Sequence, residues 1–224
     1  MRELISNIRL QVHQKTFVKD PETSELGKNL IRESILLIDE IGFENFTFKK
    51  LGERIKSNES SVYRYFENKH KLLLYLASWY WSYLEYRLVF ATNNIEDPCV
   101  RLKIAIGIVT EKVLDDTDTA HINEAILSRI IIAEFSKVMH TKEVDQENKE
   151  GFFLIYKRLN ARIVSIIKEI NPNYPFAESL VSTVISGALH QHFLSEHLES
   201  LSSIDSGKSV SEFYTHLITN TIQN

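Results

Sequence analysis

Apolar residues recur at helical spacing along most of the chain. Leu26, Leu30, Ile31, Leu37, Ile38 and Ile41 form one stripe. Thr23 or Ser24 can cap its start, and Gly42 stands where a left-handed C-terminal cap is expected. Phe43 and Phe46 are too apolar for an exposed connection and should lock the next helix onto the first. Thr47 can cap a short second helix, Phe48 to about Lys56, with Phe48, Leu51 and Ile55 on one face. Ser57-Asn58 breaks the pattern. Asn58 can cap a third helix, Glu59 to Phe66, burying Val62 and Phe66, and Asn68 can cap a long fourth from Lys69 to about Ala91. Beyond a break at Asn93–Pro98, the spacing predicts five more helical stretches, near 98–115, 119–140, 148–170, 175–198 and 208–222. Residues 1–22 differ. Ile8, Leu10 and Val12 alternate with polar residues, and the run to Val18 reads as a short strand or hairpin arm.

Only 7 glycines and 4 prolines punctuate 224 residues, so the expected class is all-α. The 43% hydrophobic content is ample for a core. The single cysteine, Cys99, cannot form an internal disulfide and suits a reducing cytoplasm. The first residues lack a signal-peptide h-region. No apolar run approaches the roughly 18 residues of a membrane span, so no membrane partner is expected. Net charge is −4, which is unfavourable for a nucleic-acid binder, but the mean hides an asymmetry. From Thr47 to Lys71, seven cations (Lys49, Lys50, Arg54, Lys56, Arg64, Lys69, Lys71) face three anions (Glu53, Glu59, Glu67). That segment carries +4 and the remainder −8. A basic head on an acidic body suits one phosphate-binding face.

Three short helices before a long one form an architecture that can brace a reading helix in the DNA major groove. Its exposed positions here are Glu59, Ser60, Ser61, Tyr63, Arg64 and Tyr65. The same spacing also occurs in ordinary helical bundles. The run FTFKKLGERIKSNESSVYRYFENKHKLLLYL resembles the N-terminal DNA-binding domain of TetR-family transcriptional regulators. The matching features are a Thr opening the second helix, a Tyr-x-Tyr-Phe closing the third, and Lys69 just inside the fourth. The match spans about residues 24–90; the rest agrees in length and helical character.

The resemblance implies that Thr47 binds a backbone phosphate at a helix N-terminus. It places Ser60 and Ser61 against bases or phosphates, Tyr63 and Tyr65 against the backbone, and Lys69 against a phosphate. Arg64 could donate to guanine O6/N7, and Glu59 could accept from a cytosine amino group. The family turn reads Ala-Gly-Val-Ser, where this chain has Ile55-Lys56-Ser57-Asn58. A non-glycine in the left-handed turn position carries about 1 kcal/mol of strain unless the turn is reshaped.

The expected division is an arm at 1–22, a helix-turn-helix domain at 23–72, and a helical ligand-binding and dimerisation domain at 73–224. The resemblance implies a homodimer built from the last helices. Val184, Gly187, Leu189, Phe193, Phe213, Tyr214 and Leu217 are the interface candidates, with internal core as the alternative. Trp79, Tyr83, Phe135, Phe152 and Tyr156 are candidates for a small-molecule pocket, though aromatics at this spacing also serve as core. His190 and His192 stand i, i+2, on different helix faces, and no Cys/His cluster has zinc spacing, so neither metal nor cofactor is expected. No GxSxG, GxxxxGK[ST] or HExxH motif points to an enzyme. The expected function is a cytoplasmic, ligand-modulated transcriptional repressor that binds a double-stranded operator. The alternative is a helical interaction protein whose head no longer reads DNA.

Overall fold

The computed structural model describes residues 10, 12–113, 121–204 and 208–223. Among these there is no β-strand, and ten α-helices carry the fold. They are α1 Glu25–Asn45, α2 Phe48–Arg54, α3 Glu59–Tyr63, α4 Lys69–Thr92, α5 Pro98–Thr110, α6 Glu124–Met139, α7 Val144–Glu150, α8 Leu154–Ile170, α9 Ala177–His197 and α10 Val210–Gln223. No helix of the described residues is long and apolar enough to cross a membrane.

The caps are those the sequence offers. Ser24, Thr47, Asn58, Asp97 and Asn123 each accept a first-turn backbone N–H in their side chain. Gly42 has φ 75° and ψ 154°, a region open essentially to glycine alone. It kinks α1 rather than ending it, and one further turn runs to Asn45. The expected strand at the N-terminus is corrected. Gln14–Thr16 and Pro21–Thr23 are 3-10 turns, and most of the alternating stretch around Ile8 lies outside the described residues. Thr16 is fully buried and its hydroxyl donates to His13 O at 2.7 Å, so this stretch coils instead of extending. Most of α7 lies in the break expected over Lys142–Asn148. That helix is polar around its circumference and gives no apolar period; Gly151, at φ 93°, stops it.

The chain forms two compact units. Residues 1–80 with 113–154 make the first; residues 81–112 with 155–224 make the second. The boundary between these units falls inside α4, and α6 and α7 group with the head. In the first unit α6 is tied to α1. Arg129 pairs with Asp39 at 2.8 Å, and Lys137 pairs with Glu44 at 2.7 Å. Its core is Leu30, Ile31, Ile35, Phe46, Leu51, Val62, Phe66 and Leu72, each fully buried. In the second unit α5 packs against α9 and α10 around Ala105, Ile106, Val184, Ile185 and Ile218. Glu85 of α4 accepts from Arg158 and Arg162 of α8, and these arginines hold its carboxyl below the ordinary carboxylate value despite its burial.

Candidate nucleic-acid interface

Helices α2 and α3 cross closely because Gly52 lacks a side chain. A Cβ there would come within 3.1 Å of Asn58 and Glu59 backbone atoms. Gly52 O also accepts from Ser57 N–H at 2.8 Å, which ties the turn to α2. Lys56 occupies the left-handed position of that turn at φ 55°, the strain expected from the missing glycine. Asn58 then caps α3. Its Oδ1 accepts from Ser61 N–H at 2.9 Å and from the hydroxyls of Ser60 and Ser61, each at 2.7 Å. Both serines expected to meet DNA are thus turned back onto their own cap.

The inner face of α3 is closed by Val62 and, just past the helix, Phe66, both fully buried. The outer face presents Glu59 at the first helical position, Tyr63 and Arg64. Tyr63 is 49% exposed, and its ring stands edge-on to Phe48 with centroids 5.0 Å apart, which fixes its direction. Arg64 is exposed and makes no ion pair among the described residues. Thr47 is exposed, and its Oγ1 accepts from Lys50 N–H at 3.2 Å.

Two expected phosphate contacts sit elsewhere. Tyr65 is only 3% exposed, and its hydroxyl is hydrogen-bonded to Ser24 Oγ at 2.8 Å. It joins the end of the reading segment to the cap of α1 and does not face solvent beside Tyr63. Lys69 Nζ donates to the carbonyls of Phe43 at 3.1 Å and Glu44 at 3.2 Å, and lies 4.8 Å from the Phe43 ring centre. Its charge lies against the C-terminal end of α1, where the helix dipole favours a cation. Arg54 is likewise committed, with Nε 2.8 Å from Glu33. Lys49 and Lys56 remain as exposed cations of the same segment, each without an ion pair among the described residues. Only the local charge surplus pointed to them.

The body candidates separate. Trp79, Phe135 and Phe152 belong to the first unit, Tyr83 and Tyr156 to the second. Phe152 is buried beneath Lys71 Nζ, 3.8 Å from its ring centre, and its ring lies 5.2 Å from that of His13. Tyr156 meets Trp81 at 4.9 Å between centroids. In the second unit a cavity of about 420 Å³ is lined by other, polar residues, among them Lys112, His192, Ser195 and Glu196. The lining joins the end of α5, the C-terminal part of α9 and the start of α10, segments far apart in the sequence, so no local pattern announces it. His192 is buried and its Nε2 donates to Thr110 O at 2.7 Å; burial holds its pKa below the usual value. Of the interface candidates, Val184, Leu189 and Tyr214 are buried within the chain, and the Tyr214 hydroxyl packs onto Gly187. Val184, Leu189 and Tyr214 thus pack inside their own chain, while Gly187 is half-buried. Phe213 is 45% exposed, and Phe193 and Leu217 are half-buried.

Comparison with known proteins bears on the same elements. Residues 30–76 match the family model for bacterial regulatory proteins of the tetR family. No curated protein matches the chain. Among solved structures it resembles the superantigen PfiT at 16% identity and a TM-score of 0.59, over 90% of this chain and 97% of that one. It also resembles AibR, solved with isovaleryl coenzyme A and operator DNA, at 13% identity and 0.56, over 88% and 97%. The ketosteroid transcriptional regulator KstR2 of Mycobacterium tuberculosis matches at 12% identity and 0.54, over 89% and 94%. At these identities the likeness is one of fold. Residues 30–76, with α2 and α3 at their centre, thus form a helix-turn-helix that matches the model of the tetR family of bacterial regulatory proteins, and the described residues beyond it are carried by helices.

Proposed function

We infer that the chain is a sequence-specific transcriptional repressor, working as a homodimer, whose DNA affinity is set by a small molecule held in its C-terminal helices. The observation that carries this is the outer face of α3. Tyr63 at the end of the helix and Arg64 just past it are both exposed, while Val62 and Phe66 are fully buried. Arg64 reads a base, guanine by preference, while Thr47, Lys49, Lys56 and Tyr63 hold phosphates. Phe193, Phe213 and Leu217 are incompletely covered by their own chain, which suits a partner on that side. A dimer doubles a half-site that is too short alone for useful specificity. The effector shifts the balance between DNA-competent and incompetent states. AibR was solved with an acyl coenzyme A and KstR2 is a ketosteroid regulator, so acyl thioesters and steroids are the first classes to screen.

The test is fluorescence anisotropy with duplexes from upstream of the protein's own gene. Wild-type protein binds one duplex well above mixed-sequence DNA. Arg64→Ala narrows that preference by about 1–3 kcal/mol at one base position. Equal binding to all duplexes, or an Arg64→Ala variant with unchanged preference, would overturn the assignment. A second reading has its own observation. Ser60, Ser61, Tyr65 and Lys69 all bond internally, and a superantigen shares the fold. A helical interaction protein would leave DNA free even at low salt.

A further inference from the structure

The segment before α1 reaches the reading segment. Val18 N–H donates to Tyr65 O at 2.8 Å, so the arm is bonded to the end of the reading segment. The next residue, Lys19, is exposed, and its Nζ lies 5.2 Å from the centre of the Tyr65 ring. Lys19 makes no ion pair among the described residues. The backbone on both sides of it is fixed. Phe17 stands edge-on to Tyr75 at 6.1 Å, and Asp20 caps the Pro21–Thr23 turn by accepting from Glu22 N–H at 2.9 Å. The nearby acids face other partners. Glu22 accepts from Tyr75 Oη at 3.1 Å and is paired with His121 at 2.9 Å, and exposed Glu25 pairs with Lys28.

We propose that Lys19 is a DNA-phosphate contact, filling the backbone-binding place that the burial of Tyr65 leaves empty. The proposal rests on the DNA-binding function above. Tyr65 points its hydroxyl at Ser24, and the Lys19 ammonium lies over its nearly buried ring. Lys19 and Arg64 then flank Tyr65, one on the arm and one on the reading segment. A lysine on an already ordered backbone loses less freedom when it takes a phosphate than one on a mobile tail. The phosphate contact is independent of base sequence, so it adds affinity and salt dependence without specificity.

The experiment titrates full-length protein with sonicated calf-thymus DNA over a range of salt. It compares wild type, Lys19→Gln, Lys19→Arg and a charge control, Lys103→Gln, on an exposed site of α5. Lys19→Gln should make the plot of log affinity against log salt shallower by about one per protomer and weaken binding by about five- to tenfold near 0.1 M salt. Lys19→Arg and Lys103→Gln should match wild type, and all four should melt at the same temperature. A Lys19→Gln slope equal to wild type, or equal losses in Lys19→Gln and Lys103→Gln, would overturn the contact while leaving the DNA-binding function standing. Wild-type protein that leaves the DNA free at low salt would overturn that function, and the contact with it.

Discussion

The hydroxyl of Tyr65 lies 2.8 Å from Oγ of Ser24, forty-one residues earlier in the chain. Ser24 also accepts Gly27 N–H at 3.2 Å as the cap of α1. One hydrogen-bonded pair therefore joins the cap of α1 to the end of the reading segment. Removing the hydroxyl separates the two roles a tyrosine could hold here. Tyr65→Phe should lower the stability of the protein by about 1 kcal/mol, the usual contribution of one such bond. It should leave the salt slope of DNA binding unchanged. A shallower slope at unchanged stability would place Tyr65 on a phosphate instead. Chemical denaturation and a salt titration on the same preparation decide between them.

Lys56 sits at φ 55° in the turn between α2 and α3, a conformation that strains any residue with a Cβ by about 1–2 kcal/mol. Glycine relieves that strain but adds freedom to the unfolded chain, which offsets part of the gain. Lys56→Gly should therefore stabilise the protein by roughly 0.5–1 kcal/mol, seen as a higher melting temperature. It should also weaken DNA binding in a salt-dependent way, because an exposed cation is lost. A variant that melts lower than wild type would mean that the lysine side chain holds the turn by contacts worth more than the strain.

The helices were legible because capping residues and apolar periods are local. Asn58 and Thr47 fix where α3 and α2 begin, and Val62 and Phe66 fix the buried face of the reading segment. What escaped was decided across long separations. Nothing near Lys69 in the sequence shows that its ammonium meets the carbonyls of Phe43 and Glu44. Nothing near Tyr65 shows Ser24. The serines at 60 and 61 were legible in principle, since an Asn cap competes for nearby hydroxyls. Helix α7 escaped for a different reason. Its residues, from Val144 to Glu150, bury mainly Glu147, which is held by a hydrogen bond with His70 at 2.9 Å and by Lys71 at 3.6 Å, so polar contacts from far along the chain stand where an apolar stripe would.

Burial holds the pKa of His192 below its ordinary value of 6.5, with the Nε2 bond to Thr110 O opposing the shift in part. The folded protein thus prefers the neutral ring. Above the unfolded value both states are neutral and the ring contributes no pH dependence. As pH falls below about 6.5 the unfolded chain takes up the proton first, and stability declines until the folded value is passed. His13 in the first unit is shifted in the same direction, chiefly by burial. Wild-type protein should melt at a lower temperature at pH 5.5 than at pH 7.5. In His192→Gln, which keeps a donor for Thr110 O, that difference should shrink without vanishing. An identical pH dependence in the two proteins would show that His192 is not a source of it.

Gly187 was expected to admit a second subunit, and Tyr214 occupies the space instead. A Cβ on Gly187 would lie 2.2 Å from Tyr214 Oη and 3.1 Å from Cζ. Tyr214 is 5% exposed, so its ring has little room to swing away. Gly187→Ala should destabilise the protein by about 1–3 kcal/mol, as overpacking of a filled core does. Tyr214→Phe removes the atom in the worst clash and leaves the 3.1 Å approach of Cζ, which a small shift can absorb. The double variant should therefore be more stable than the sum of the two single effects, with a coupling on the order of 1 kcal/mol. If instead Gly187 met another subunit, Gly187→Ala would weaken self-association, Tyr214→Phe would not restore it, and the effect would depend on protein concentration. Denaturation of the four proteins at two concentrations separates the outcomes. A concentration-independent loss that Tyr214→Phe rescues places the contact between α9 and α10 of one chain.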